Sequence, residues 1–114
     1  DMGETIDGAV LSKMAQRGQI KNCVIDGPLA MDLALSAESA EIKGVTSPVA
    51  GKTDIFLVPN ISAGNMMGKT LMYTAEGDFG GIILGAKAPV VMLSRSDPAS
   101  IRLNSIAIGV MMCK

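Results

Sequence analysis

The pair Ser94-Arg95 has the residue types and the position of an anion-binding site. It follows the apolar run 90–93 and precedes Asp97-Pro98, which predicts a helix with Asp97 as N-cap and Pro98 at its first position. A helix N-terminus offers unpaired N–H groups, and Arg95 adds a planar fork of donors suited to phosphate or carboxylate. Two interpretations remain, an anion site and a surface arginine beside an ordinary helix cap.

Residues 63–70, Ala-Gly-Asn-Met-Met-Gly-Lys-Thr, come close to a second phosphate motif, the P-loop. They follow an apolar run, as that motif requires, but Ala63 replaces its first glycine and larger side chains crowd the loop. An apolar helical stripe also begins at Ala63, with Asn65 and Lys69 four residues apart on the other side. We therefore expect a helix here and no nucleotide-binding loop.

Charge and composition exclude several classes of protein. The 114 residues suit one domain, and 10 basic against 11 acidic residues leave a net charge of -1. Such a balance predicts no nucleic-acid partner and no polybasic membrane anchor. Lys87 interrupts the longest apolar run, no signal-peptide pattern opens the chain, and the start at Asp1 rather than Met suggests a trimmed protein or a fragment.

The sequence contains no histidine, which excludes a Ser-His-Asp triad and a Cys-His pair. Cys23 and Cys113 lie far apart without a CxxC pattern, so we predict no metal site, two buried thiols and a reducing, cytosolic environment. The nine methionines are expected to fill the core. The carboxylates show no paired spacing, and Asp26 is interpreted as a turn residue.

Apolar runs alternate with amphipathic segments along the chain. Strands are predicted at 23–25, 55–58, 82–84 and 90–93, and helices over 4–17, 29–43 (one broken or two short), 63–74 and from 98 to the end. The last helix is apolar on almost every side and should be buried on several. The pattern predicts an α/β fold, a parallel or mixed sheet with helices on both faces. Ligands would then bind beyond the strand ends, at 26–28, 59–65 or 94–95.

Several ordered runs together resemble one family. They are Asp26-Gly27-Pro28-Leu29 with Asp32, the segment 47–52 (Ser-Pro-Val-Ala-Gly-Lys), Pro59-Asn60 with Gly64-Asn65 and Lys69, and Pro89 through Ser94-Arg95. In this order they resemble the C-terminal part of the phosphate acetyl/butyryltransferase family, closest to its phosphate butyryltransferase members. The resemblance covers nearly the whole chain.

The resemblance implies a two-domain α/β fold like that of the isocitrate and isopropylmalate dehydrogenases, usually as a homodimer with the active site between the domains. Residues 1–88 would belong to the second domain, and 89–114 would return to the first. The implied reaction converts acyl-CoA and phosphate into acyl phosphate and free CoA. CoA is then a substrate, and no tightly bound cofactor is expected.

The resemblance also implies roles for individual residues. Ser94 and Arg95 match the family's catalytic Ser-Arg pair; substrate-binding positions would be Asn65, Lys69, Gly85 and Lys87. Direct transfer in a ternary complex is expected, because neither a histidine nor an activated cysteine is at hand for a covalent acyl-enzyme.

Two departures from the family qualify these expectations. Ile101 stands where phosphate acetyltransferases carry an aspartate proposed as the base for the CoA thiol, so that role has no carrier unless Asp97 substitutes. Family enzymes are also much longer, and their N-terminal part is missing here. A non-catalytic CoA- or phosphate-binding fragment or assembly module is therefore the alternative. A dehydrogenase on the same fold is disfavoured, since the chain has no GxGxxG.

Overall fold

A computed structural model describes residues 2–75 and 77–113 of the chain. Within them the helices are α1 (Gly3–Gln16), α2 (Met31–Leu35), α3 (Ala37–Ile42), α4 (Ile61–Thr74) and α5 (Ala99–Met111). These confirm the predicted helices, including the two short ones expected over 29–43. The chain divides into two compact units, Asp1–Pro59 and Asn60–Lys114. The domain transition near residue 88 stays a prediction.

The first unit is organised around α2 and α3. Leu33, Ala34 and Ala40 are its buried apolar residues, and the hydroxyl of Ser36 caps α3 by accepting a hydrogen bond from the N–H of Ser39 at 3.1 Å. On the surface the ammonium of Lys43 donates to Asp32 at 2.6 Å, which holds the pKa of the Asp32 carboxyl below its usual value. These contacts connect the helices into one short helical pair.

Gly51 joins the α2–α3 pair to the following loop through backbone hydrogen bonds. Its N–H donates to the carbonyl oxygens of Ala34 at 3.1 Å and Leu33 at 3.3 Å, which closes the end of α2. Its φ is +67°, and a Cβ there would lie 2.5 Å from the backbone nitrogen of Ala37. A side chain at this position would therefore combine backbone strain with a collision against α3.

Gly51→Ala is expected to lower the free energy of unfolding of the full-length protein by roughly 2–4 kcal/mol, from left-handed backbone and overpacking together. Gly44→Ala is the matched control, because Gly44 has a φ of +65° and a Cβ there would meet no atom within 4 Å. It should cost only about 1–2 kcal/mol. Denaturant unfolding measures both variants, and equal losses would contradict the collision.

In the second unit, α5 is held by a segment that crosses it. Ser105 is fully buried; its hydroxyl donates to the carbonyl of Ile101 at 2.7 Å and accepts from the N–H of Gly81 at 2.9 Å. The side-chain amide of Asn104 donates to the carbonyl of Phe79 at 3.0 Å. The bonds of Asn104 and Ser105 fix the middle of α5 against residues 79–81.

The predicted sheet is not found among residues 2–75 and 77–113. Ile83 and Val90 form one isolated antiparallel bridge, in which the N–H of Ile83 donates to the carbonyl of Val90 at 2.8 Å. The runs at 23–25 and 55–58 pair with no described residue in a sheet, and Ile55 is 83% exposed. An apolar run indicates a buried strand but does not name its neighbour, so the helical part of the α/β prediction is confirmed and the sheet is not.

Three predictions of burial are wrong. α5 buries Ile101, Ser105 and Gly109, but Leu103 and Val110 are each 67% exposed, so it is not covered on several sides. None of the nine methionines is buried, and both cysteines are exposed rather than inaccessible thiols. The described residues do not pack over enough of these apolar side chains to bury them.

No helix in the described ranges is both long and apolar enough to cross a membrane.

Candidate functional site

A tight turn from Ser94 to Asp97 presents the predicted catalytic pair. The carboxylate of Asp97 accepts from the N–H of Ser94 at 2.8 Å, while the N–H of Asp97 donates to the carbonyl of Ser94 at 3.1 Å. The hydroxyls of Ser94 and Ser96 form a hydrogen bond at 3.0 Å. Ser94 and Arg95 are exposed on this turn, so their side chains are open to a ligand while their backbone is held.

The predicted helix cap at Asp97 is wrong by one residue. α5 begins at Ala99, and Pro98 is its N-cap, without a side-chain cap hydrogen bond. The carboxylate of Asp97 is instead engaged by the N–H of Ser94. The spacing Ser-x-x-Asp is close to that of a capping box, in which an acidic side chain reaches back three residues to a backbone N–H. That signal in the sequence could have identified the bond.

Lys69 of α4 lies against the turn. Its ammonium nitrogen is 3.7 Å from Oδ1 of Asp97, whose side chain is only 8% exposed. That oxygen is buried and accepts no hydrogen bond from any residue the structure describes. A buried carboxylate oxygen without a donor is costly, so the nearby positive charge is its main compensation. Lys69 itself is partly exposed and can reach both the carboxylate and solvent.

Arg102, which no motif in the sequence singled out, holds the other side of the turn. Its Nε donates to the carbonyl of Asp97 at 3.2 Å and its Nη2 to the carbonyl of Arg95 at 3.4 Å. The guanidinium of Arg95 forms no hydrogen bond or ion pair with a described residue. Of these cations only Lys69 lies within ion-pair distance of the Asp97 carboxylate, so the positive charge of Arg95 is left for an anion.

The other predicted substrate-binding residues are not brought to this turn by any contact within the described ranges. Asn65 is exposed on α4, one turn before Lys69. Gly85, with a φ of +93°, and Lys87 lie in the exposed connection between Ile83 and Val90. The roles of these three residues stay predictions. Asp26 accepts from the N–H of Gly27 at 2.9 Å, as expected of a turn residue.

A cavity of about 320 Å³ opens beside the turn within the second unit. Its walls include Met72 and Tyr73 from the end of α4, Ser96 of the turn, and Pro98 and Ile101 at the start of α5. It combines apolar side chains with hydroxyl groups and the carboxylate of Asp78, and is large enough for a small organic group. Among the described residues no group of three or more metal-ligating side chains comes together.

The near P-loop is a helix in the structure. Residues 63–70 all lie inside α4, whose N-cap Asn60 accepts from the N–H of Ala63 at 2.9 Å. Backbone N–H groups beyond the first turn are bonded within the helix, so they cannot wrap around phosphates. The predicted helix over residues 63–70 is confirmed.

We therefore expect no measurable binding of ATP with or without Mg²⁺, and no effect of Lys69→Ala on that result. Isothermal titration calorimetry on the full-length protein measures this directly. A micromolar dissociation constant for ATP that is lost in Lys69→Ala would reverse the assignment.

The chain is similar to several known proteins. The family model described as Phosphate acetyl/butaryl transferase matches residues 2–110. Phosphate butyryltransferase from Clostridium acetobutylicum is 59% identical over 108 residues, 95% of this chain and 36% of that protein. Phosphate acetyltransferase from Rickettsia prowazekii is 50% identical over 105 residues, 92% of this chain and 30% of that protein. A branched-chain phosphotransacylase from Enterococcus faecalis V583 has a similar structure, with a TM-score of 0.80 at 32% identity over 96% of this chain and 39% of that one. The chain thus spans about a third of the length of these relatives.

Proposed function

This chain belongs to the phosphate acetyl/butaryl transferase family, and on that premise we propose that it is the C-terminal part of an acyltransferase acting on CoA and phosphate. The proposed reaction is acyl-CoA + phosphate = acyl phosphate + CoA, with a short acyl group, butyryl in the first place. The observation that carries this proposal is the Ser94–Asp97 turn, whose hydrogen-bonded backbone presents the hydroxyl of Ser94 and the guanidinium of Arg95, which pairs with no residue that the structure describes.

The chemistry needs a proton removed from the CoA thiol and a stabilised carbonyl oxygen. In the direction that forms acyl-CoA, the sulfur forms a bond to the acyl carbon, and the bond from that carbon to the phosphate oxygen breaks, so that phosphate leaves with the electron pair. We assign the phosphoryl oxygens to the fork of Arg95 and the carbonyl oxygen to the hydroxyl of Ser94. The reverse reaction exchanges nucleophile and leaving group.

The groups around the turn are proposed to bind the rest of the substrates. Lys69, whose ammonium lies 3.7 Å from the carboxylate of Asp97, adds a second cation beside Arg95 for phosphate or for the anionic parts of CoA. Asn65, Gly85 and Lys87 are kept as substrate-binding residues on the strength of the family resemblance. The cavity beside Ser96 supplies room for a non-ionic part of the substrate.

Asp97 is proposed to hold the turn rather than to act as the thiol base. One of its oxygens is bonded to the N–H of Ser94, and the other is buried. Ile101, at the position of the acetyltransferase aspartate, is itself buried and has no proton-accepting group. The base is therefore proposed to lie outside this chain, in the part that the longer relatives possess.

The location, oligomeric state and domain organisation of the enzyme are also proposed from the family resemblance. We propose a cytosolic homodimer in which the remainder of the protein completes a two-domain α/β fold with a sheet, as in the isocitrate and isopropylmalate dehydrogenases. Residues 1–88 would belong to its second domain and 89–114 to its first. No tightly bound cofactor is proposed.

The test uses the full-length protein with butyryl-CoA and phosphate, and measures release of the CoA thiol with a thiol reagent. Acetyl-CoA is the second substrate, and omission of phosphate is the control. Phosphate-dependent thiol release that is faster with butyryl-CoA supports the proposal. Binding of CoA without any release would instead support the non-catalytic alternative.

A further inference from the structure

Arg102 is the one described side chain that ties the carbonyl groups of the catalytic turn to another element. Its guanidinium donates to the carbonyls of Asp97 and Arg95, at 3.2 Å and 3.4 Å. The bonds within the turn run between Ser94 and Asp97 and between Ser94 and Ser96, so they fix its shape but not its position. Pro98 joins the turn to α5 along the chain, and Arg102 adds the side-chain contact that holds the turn's carbonyls against that helix.

The helix that carries Arg102 is a firm base for this contact. Ile101 and Ser105, on either side of it in sequence, are buried. Ser105 also bonds to the backbone of Gly81 and of Ile101. A guanidinium anchored on such a helix can hold two carbonyls at once, because its donors lie in one rigid plane.

We propose that Arg102 is a positioning residue for acyl transfer, acting through Ser94 and Arg95 without touching substrate. The proposal rests on the proposed function, since it assigns the turn to the reaction centre. With Arg102 in place, the hydroxyl of Ser94 and the fork of Arg95 are held where charge develops, which avoids reorganisation during the reaction. Without it, the turn keeps its internal bonds and shifts as a unit.

The expected effect is on turnover. A displacement of about 1 Å at a reaction centre can cost roughly 100-fold in rate, so Arg102→Ala should lower kcat by about 10- to 100-fold. The KM for acyl-CoA should change by less than about threefold, because the contact orients a group whose hydrogen bond strengthens in the transition state. Arg102→Lys keeps one of the two hydrogen bonds, so its kcat should lie between that of the parent and that of Arg102→Ala.

A double-mutant cycle in the full-length enzyme separates positioning from general stability. Arg102→Ala is made in the parent and in Ser94→Ala, and kcat is measured at saturating butyryl-CoA and phosphate. If Arg102 acts through Ser94 as well as Arg95, its loss should cost less in kcat in the Ser94→Ala background than in the parent, since one of the two groups it positions is already absent. Arg17→Ala, which removes an exposed arginine from the end of α1, is the matched control and should leave kcat unchanged.

Each outcome decides the proposal. An equal loss from Arg102→Ala in both backgrounds, or no loss in the parent, overturns it. An active enzyme in which Ser94→Ala has no effect overturns it together with the assignment of Ser94, while acyl transfer itself stands. A full-length protein without acyl transfer refutes the proposed function instead. Should Arg102→Ala fail to fold, the same cycle with Arg102→Lys applies, with thermal melts of every variant.

Discussion

Arg95→Lys in the full-length protein is expected to lower kcat/KM for phosphate in the proposed acyl transfer by about 10- to 100-fold, although the charge is retained. The guanidinium offers two parallel N–H donors to a phosphoryl group, whereas an ammonium acts as a single point charge. One charge-assisted hydrogen bond contributes roughly 1.5–3 kcal/mol, which corresponds to that range. Arg95 is exposed and forms no ion pair with a described residue, so the loss cannot come from a broken structural contact.

The measurement is steady-state kinetics with phosphate and butyryl-CoA varied separately, beside a thermal melt. Arg17→Lys, at an exposed arginine at the end of α1, is the matched control and should behave as the parent. Near-parental activity of Arg95→Lys at every phosphate concentration would show that Arg95 is a surface charge only.

Ser94→Ala is expected to lower kcat by about 100- to 1,000-fold, as does the loss of one donor to a developing oxyanion. The KM values should change little, because this hydrogen bond strengthens only as the carbonyl oxygen gains charge. The turn should survive, since the bond from Ser94 to Asp97 uses the backbone N–H and the residue is exposed.

Ser62→Ala, which removes an exposed hydroxyl from the first turn of α4, is its control. Single-turnover kinetics with preloaded butyryl-CoA distinguish a slower chemical step from slower product release. A variant that loses affinity for butyryl-CoA while keeping its turnover would assign Ser94 to ground-state binding instead of to the transition state.

Local signals predicted the helices well. A helical apolar stripe predicted a helix over 63–74, and the structure places α4 over Ile61–Thr74. The same stripe excluded the P-loop, because residues within a helix cannot also form a loop around phosphate. Helix α5 was also predicted, but its start was misplaced by one residue, since the carboxylate that resembles its cap bonds to the turn before it.

Strand pairing and burial, which depend on residues far apart in sequence, were predicted less well. The apolar runs at 55–58 and 90–93 are typical of strands, yet strand pairing is a contact between segments far apart in sequence, and one bridge joins Ile83 to Val90. The predictions of burial were wrong for the same reason. The methionines and α5 are apolar enough for a core, but burial requires a second surface to lie on them, and composition does not supply one.

For the candidate site, the sequence by itself determined the chemical groups. The order of Ser94, Arg95 and Asp97 along the chain, the absence of histidine and the family motifs are all properties of the linear sequence. Only the tertiary structure decided which groups meet. It placed Lys69, which is 28 positions away from Asp97, beside that carboxylate, and it turned the side chain of Arg102 back onto the carbonyls of the turn. Such contacts depend on how α4 and the turn before α5 lie within one unit, and that arrangement is set by the whole set of side chains at once rather than by any local pattern.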